Sequence, residues 1–150
     1  RAGTENVAAI VGFGAAAALR QAELAVDSAC LRRLRDRLQD GLHEAIGDMV
    51  VNGSVEHRLS NTLNASFRGV EAEAVLLGLD LEGICASSGS ACAEGATEPS
   101  HVLLAMGLEP RLAASAVRFS LGWGNDESQV DRVVTVLPGI VARLRELSVF

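Results

Sequence analysis

Leucine and alanine recur at three- and four-residue spacing between residues 27 and 46, the repeat of an amphipathic helix. The apolar positions are Leu31, Leu34, Leu38, Leu42 and Ala45. The preceding segment, from Glu5 to about Ala25, also predicts a helix, with small apolar residues over most of its surface and Thr4 as its N-cap. We therefore expect two helices joined near residue 26.

The rest of the chain alternates between short strands and helices. Strands are predicted at residues 49–51, 62–67, 84–86 and 116–121, and helices at 71–79, 100–106 and from Asn125 or Asp126 to about Leu147. Pro99 suits the first position of its helix, and Pro138 lies inside the last one. This order predicts an α/β fold, a small and mostly antiparallel sheet covered by helices.

Residues 87–97 show no periodicity and include two glycines, which predicts a long loop with a functional role. Cys92 lies in this loop between Ala91 and Ala93, where small neighbours leave a thiol accessible. Cys30, among leucines, and Cys85, in an apolar run, are expected to be small buried side chains.

Composition excludes several classes of protein. The net charge of −6 argues against nucleic acid as a partner. The chain contains no uncharged apolar stretch of eighteen residues, so we expect no membrane-spanning segment. Three irregularly spaced cysteines indicate a reducing compartment, hence a cytoplasmic protein. Cys85, Cys92 and His101 lack the paired spacing of a zinc site, so no stable metal site is expected, while His43 and His57 are predicted to lie on the surface.

All 13 basic residues are arginines. An enzyme that holds its cofactor or substrate as a lysine Schiff base therefore cannot be complete in these residues. The chain also opens at Arg1-Ala2-Gly3-Thr4 with no initiator methionine. We expect it to be a piece of a longer protein.

Six stretches of sequence together carry a family resemblance. They are residues 87–92 (SSGSAC), 98–107 (EPSHVLLAMG), 1–7, 60–64 (SNTLN), 117–121 (VRFSL) and 130–133 (VDRV) leading into Leu137-Pro138. In order and spacing this set resembles the cysteine desulfurases that serve nitrogen fixation and iron–sulfur cluster assembly. The resemblance covers essentially the whole chain.

The resemblance implies the C-terminal part of a homodimeric fold-type-I enzyme that uses pyridoxal 5'-phosphate (PLP). Residues 1–25 would be the end of the large domain and a long connecting helix, and residues 26–150 the small C-terminal domain carrying the loop. Cys92 matches the cysteine that becomes a persulfide. As a metal ligand, Cys92 would bind an iron–sulfur cluster only transiently. Arg118 matches the arginine that binds the substrate carboxylate, and Thr4 the threonine that contacts the phosphate of the partner subunit's PLP.

The implied reaction converts L-cysteine to L-alanine and leaves sulfur on Cys92 for an acceptor or iron–sulfur scaffold protein. The alternative is a stand-alone persulfide-relay or binding module without catalysis of its own. Arg118 also has a structural alternative, pairing with a carboxylate. Asn61 and Asn64 suit two roles equally well. One is to face the substrate cleft, and the other is a turn-and-ladder role, that is, hydrogen bonding within a turn and between strands. The first helix is expected to expose its apolar face, which includes Val7, Ile10, Val11, Phe13 and Gly14.

Overall fold

The computed structural model describes residues 2–89 and 99–147. Its elements are α1 (Val7–Ala45), β1 (Met49–Val51), β2 (Thr62–Phe67), α2 (Ala72–Leu81), α3 (His101–Ala105), α4 (Pro110–Ala114), β3 (Ala116–Ser120) and α5 (Glu127–Leu147). Within these residues the strands form one antiparallel sheet in the order β1-β2-β3. The predicted fold class is confirmed: a small antiparallel sheet with helices and a long N-terminal helix.

Helix α1 is continuous for 39 residues, so the prediction of two helices joined near residue 26 is wrong. The second helix was expected to begin at about Asp27, but this residue lies within α1 and accepts a hydrogen bond from Arg20, two turns earlier. No glycine or proline interrupts the sequence there. The N-cap of α1 is Asn6, whose Oδ1 accepts from Ala9 N at 3.1 Å, rather than the predicted Thr4.

The two halves of α1 differ in burial. Residues 7–26 are exposed along their whole length, whereas the second half buries Leu34, Leu38 and Leu42. The expectation that the first half exposes its apolar face is confirmed. The predicted domain boundary after residue 25 therefore falls inside a continuous helix, close to where burial begins.

An 18-residue window of α1 has a mean hydropathy of 1.3 and is fully exposed. By length and composition alone, α1 could cross a membrane. This judgement allows one or two charged residues in the window, whereas the prediction from the sequence allowed none. One such helix is weak evidence for a membrane span, because helices that pack on other protein surfaces have the same composition. The absence of a membrane-spanning segment stays a prediction.

The core lies between one face of the sheet and the helices α1, α2 and α5. Alternate strand residues supply that face: Met49, Val51, Leu63, Ala65, Phe67, Val117 and Phe119. Helix residues on the opposite side include Leu38, Val75, Leu137 and Val141, each at most 1% exposed. The period-two pattern of β2 therefore sends one set of side chains into the core and the other set to the opposite face.

Glycines allow α5 to approach its two neighbouring helices closely. A Cβ atom at Gly41 of α1 would lie 2.9 Å from both methyl groups of Val134, and one at Gly78 of α2 would lie 2.7 Å from Ile140 Cγ2. These distances are too short for a methyl group. The helices thus pack through close backbone approaches.

The predicted strand 84–86 does not form. Gly83 has a φ of +71° and follows α2, where Ile84 N donates to Leu79 O at 2.9 Å and closes the helix. The N–H group that a strand would use is therefore occupied. Extended pairing begins only at Ser87, which forms a single bridge to Arg118 of β3.

Helix α4 was not predicted. Pro110 occupies its first turn, the position that we had expected Pro99 to take in the preceding helix. Pro99 instead precedes Ser100, the N-cap of α3. The other predicted elements are present with ends shifted by at most a few residues, and α5 continues through Pro138.

Candidate functional site

The face of the sheet opposite the core carries a row of polar side chains. Asn64 of β2 pairs with Arg118 of β3, and Thr62 with Ser120, so each pair lies on the same face. Asn52 continues β1 by one residue, because its N–H donates to Asn64 O at 2.9 Å. We call Asn52, Asn64, Ser66, Ser87 and Arg118 the polar row.

Arg118 is held on both edges of its strand. It pairs with Asn64 on one side, and on the other it exchanges two backbone hydrogen bonds with Ser87. Its side chain is half-buried, and Nη2 donates to Ser87 Oγ at 3.4 Å. Its Nε is fully buried and has no hydrogen-bond partner among residues 2–89 and 99–147. A buried N–H group without a partner is costly, so this guanidinium is suited to receive an anion.

The alternative for Arg118, a structural pair with a carboxylate, is not seen in the described parts of the chain. The ion pairs found there involve other arginines: Arg20, Arg35, Arg37, Arg58, Arg132 and Arg145. A planar guanidinium without a protein carboxylate can bind the carboxylate of a small molecule through two parallel hydrogen bonds. The local structure therefore favours the binding role.

Asn52 and Ser66 are members of the polar row that the sequence analysis did not identify. Asn52 Nδ2 donates to Asn64 Oδ1 at 2.7 Å and to Ser66 Oγ at 2.8 Å. Asn52 Oδ1 is buried and has no partner within the described residues. The only sequence signal was a polar residue directly after a short apolar strand, and its role depends on a pairing that sequence spacing does not reveal.

Asn61 and Asn64, which the sequence could not tell apart, have different positions. Asn61 Nδ2 donates to Leu121 O at 3.0 Å, and Asn61 O accepts from Leu121 N at 2.8 Å. Asn61 therefore has the turn-and-ladder role. Asn64 lies on the polar row beside Arg118 and is half-buried.

Cys92 and most of the loop 87–97 lie outside the described residues. The described chain reaches Gly89 on one side and resumes at Pro99 on the other. Ser87, where the loop begins, is bonded to Arg118. The loop that contains Cys92 in the sequence therefore begins at a residue that is hydrogen-bonded to Arg118.

The expectation of burial is wrong for Cys30 and Cys85, since both thiols are free and exposed. Cys30 lies on α1 outside the leucine stripe, and Cys85 follows the turn that ends α2. The preference of cysteine for the interior was a poor guide because neither residue faces the core described above. His43 and His57 are exposed, as predicted, and His101 is exposed at the start of α3.

Thr4 is also exposed and lies far from the polar row. It precedes α1, and the start of that helix is roughly 40 Å along its axis from the first core leucine, Leu34. Thr4 and Arg118 are therefore not brought together within the chain.

Three grooves of the described surface lie away from the polar row. The first, of about 660 Å³, lies between α1 and residues 121–125 and includes Cys30 and Trp123. The second, of about 510 Å³, is lined by residues 68–71 and 109–115. The third, of about 380 Å³, includes Cys85. None of the three includes Arg118 or Asn64.

A family model described as aminotransferase class-V matches residues 1–133. Over all 150 residues the chain is 51% identical to a cysteine desulfurase of Gluconacetobacter diazotrophicus. Over 148 residues it is 44% identical to the cysteine desulfurase NifS of Azotobacter vinelandii. The chain spans only 38% and 37% of the lengths of these two relatives.

Solved structures give the same picture. A NifS-like protein from Rickettsia africae matches 95% of the chain with a TM-score of 0.80 and 32% identity, and the match covers 36% of that protein. DndA from Streptomyces lividans matches 80% of the chain with a TM-score of 0.59 and 38% identity, over 33% of its own length.

Proposed function

Because the chain belongs to the aminotransferase class-V family, we propose that it is the sulfur-carrying part of a PLP-dependent cysteine desulfurase. The observation that carries this proposal is the position of Arg118. Its half-buried guanidinium lies beside Ser87, the first residue of the SSGSAC loop, and its buried Nε has no partner among the described residues. The similarity to cysteine desulfurases over the whole chain supports the same conclusion.

Arg118 binds the carboxylate of L-cysteine in this proposal. The Nε and Nη groups of a guanidinium lie in one plane, a geometry that can donate two parallel hydrogen bonds to a carboxylate. Cys92 lies five positions after Ser87, so the chain between them can span at most about 18 Å.

Cys92 acts as the nucleophile. Its thiolate forms a bond to the sulfur of the substrate while the substrate C–S bond breaks and leaves its electron pair on carbon. A proton completes the methyl group of L-alanine, and the sulfur remains on Cys92 as a persulfide. An acceptor or iron–sulfur scaffold protein receives it in turn.

The residues present fit one part of a PLP site. Thr4 has an exposed hydroxyl group and is suited to contact the cofactor phosphate in the partner subunit of a homodimer, whereas no lysine in the sequence supplies the Schiff base. When bound, PLP withdraws electrons from the substrate carbon that bears the amine. We place the complete enzyme in the cytoplasm, consistent with three cysteines that include two free exposed thiols.

The test is substitution of each cysteine by serine in the full-length protein that carries this chain. We expect Cys92→Ser to abolish alanine production from cysteine, because a hydroxyl group does not replace a thiolate in attack on sulfur. Cys30→Ser and Cys85→Ser are matched controls and should retain turnover, since both thiols lie elsewhere on the surface. Continued alanine production by Cys92→Ser would contradict the proposal, because a group other than Cys92 would then attack the substrate sulfur.

A further inference from the structure

Asn52 connects three members of the polar row through one amide group. Its Nδ2 has two N–H donors, and both are used, one to Asn64 Oδ1 and one to Ser66 Oγ. Gly53, with a φ of +95°, turns the chain away immediately afterwards. Asn52 is therefore fixed at the end of β1 with its amide directed along the row.

The orientation of the Asn52 amide can be assigned from the cost of its alternative. In the observed orientation one acceptor, Oδ1, is buried without a partner among the described residues. Rotating the amide by 180° would place the two N–H donors of Nδ2 in that unpaired position instead. Two unpaired donors cost more than one unpaired acceptor, so the observed orientation is the more stable.

This orientation determines what Asn64 presents to the neighbouring strand. Asn64 belongs to the central strand, with Asn52 on one side and Arg118 on the other. Since Asn64 Oδ1 accepts from Asn52, its Nδ2 is directed away from Asn52. The two N–H donors of Asn64 and the guanidinium of Arg118 then lie on the same face of the sheet.

We propose that Asn64 donates a second hydrogen bond to the carboxylate that Arg118 binds, and that Asn52 is the positioning residue that keeps Asn64 in its donating orientation. The inference rests on the proposed function, because the anion is the carboxylate of L-cysteine. A neutral amide donor beside a guanidinium adds directional recognition without adding charge. Asn52 acts only through Asn64.

The first experiment uses Asn52→Asp in the full-length holoenzyme. An aspartate has the same shape but no donor, so Asn64 must turn its amide to donate to it and then presents its oxygen to the substrate. We expect KM for L-cysteine to rise about tenfold or more, with kcat within about twofold of wild type. The inhibition constant of L-alanine, which keeps the carboxylate but lacks sulfur, should rise by the same factor.

The second experiment separates positioning from a direct effect of charge. Asn64→Ala removes the donor and should also raise KM about tenfold. In the double variant, Asn52→Asp should add no further increase, because its effect passes through Asn64. An additive increase would show that the new charge acts on the substrate directly, and it would overturn the role of Asn52. If Asn52→Asp does not fold, Asn52→Ala allows the same comparison.

Asn61→Ala is the control for a merely structural asparagine. It removes the bond to Leu121 O and should lower Tm while leaving KM for L-cysteine unchanged. Arg118→Ala distinguishes this inference from the proposed function. If Arg118→Ala raises KM but Asn64→Ala does not, only the inference is wrong. If neither does, the assignment of the carboxylate to Arg118 is wrong as well.

Discussion

Arg118 and Ser87 exchange both of their backbone hydrogen bonds, with Arg118 N donating to Ser87 O at 2.6 Å and Ser87 N donating to Arg118 O at 3.1 Å. The start of the cysteine loop is therefore attached to the strand that holds the guanidinium. In the proposed function, this attachment connects the carboxylate-binding strand to the loop that carries Cys92.

Arg118→Ala in the full-length protein should chiefly weaken the binding of L-cysteine. Loss of a charged hydrogen bond of about 1.5–3 kcal/mol corresponds to a rise in KM of roughly 10- to 150-fold, with a smaller change in kcat. Steady-state alanine production measures both constants. Arg111→Ala, at an exposed arginine of α4, is the matched control and should leave KM unchanged. A fall in kcat with KM unchanged would assign Arg118 to a step after binding.

Gly41→Ala should destabilise the fold, because the new methyl group would lie 2.9 Å from both Val134 methyl groups. Overpacking of this kind costs about 1–3 kcal/mol, partly offset by about 1 kcal/mol from the better helix propensity of alanine. The matched control is Gly139→Ala in α5, where nothing lies within 4 Å, and it should be neutral or stabilising. Urea unfolding measures the difference. Equal stability of the two variants would show that α1 and α5 are not held as closely as described.

The sequence predicted well those elements whose pattern is local. Residues 62–67 alternate between core and polar face, and β2 has these bounds. The resemblance also pointed to Arg118, whose role as a carboxylate ligand stays a prediction. The continuity of α1 was missed because the leucine pattern begins only after about Asp27, whereas the backbone is helical from Val7 to Ala45.

The polar row could not be predicted in full because it depends on strand register. Asn52 and Asn64 are twelve residues apart, and only the pairing of β1 with β2 brings their amides together. Likewise, isoleucine is a common strand residue, but the N–H group of Ile84 donates to Leu79 O and ends α2. Contacts of this kind are decided by tertiary packing, which a single sequence does not show.

Stability should fall in acid partly through Asp131 of α5. Arg37 of α1 donates two hydrogen bonds to this carboxylate, at 2.7 and 2.8 Å, and they lower the pKa of Asp131 below its usual value. A carboxyl group with a depressed pKa stabilises the folded state above the ordinary aspartate pKa of about 3.9, and this contribution is lost as pH falls through the depressed value.

Asp131→Asn should therefore lower the urea midpoint at pH 7, and the gap to wild type should close as pH falls below about 4. Because the pair is exposed, about 0.5 M salt should also narrow the gap at pH 7. Urea titrations at several pH values give both comparisons. A gap that stays constant into acid would show that the substitution acts through packing and not through the charge of Asp131.

The apolar half of α1 should cause the 150-residue chain to self-associate when it is produced by itself. Val7, Ile10, Val11 and Phe13 are between 60% and 79% exposed, and they form one continuous surface on a helix. Contiguous apolar patches of this size are normally covered in soluble proteins. Phe13→Asp should shift the sedimentation-averaged mass toward the monomer, because a carboxylate is not readily buried in such a contact. Leu59→Asp, at an equally exposed leucine outside α1, should leave the mass unchanged. A wild-type chain that remains monomeric at every concentration would show that this face of α1 does not mediate association by itself.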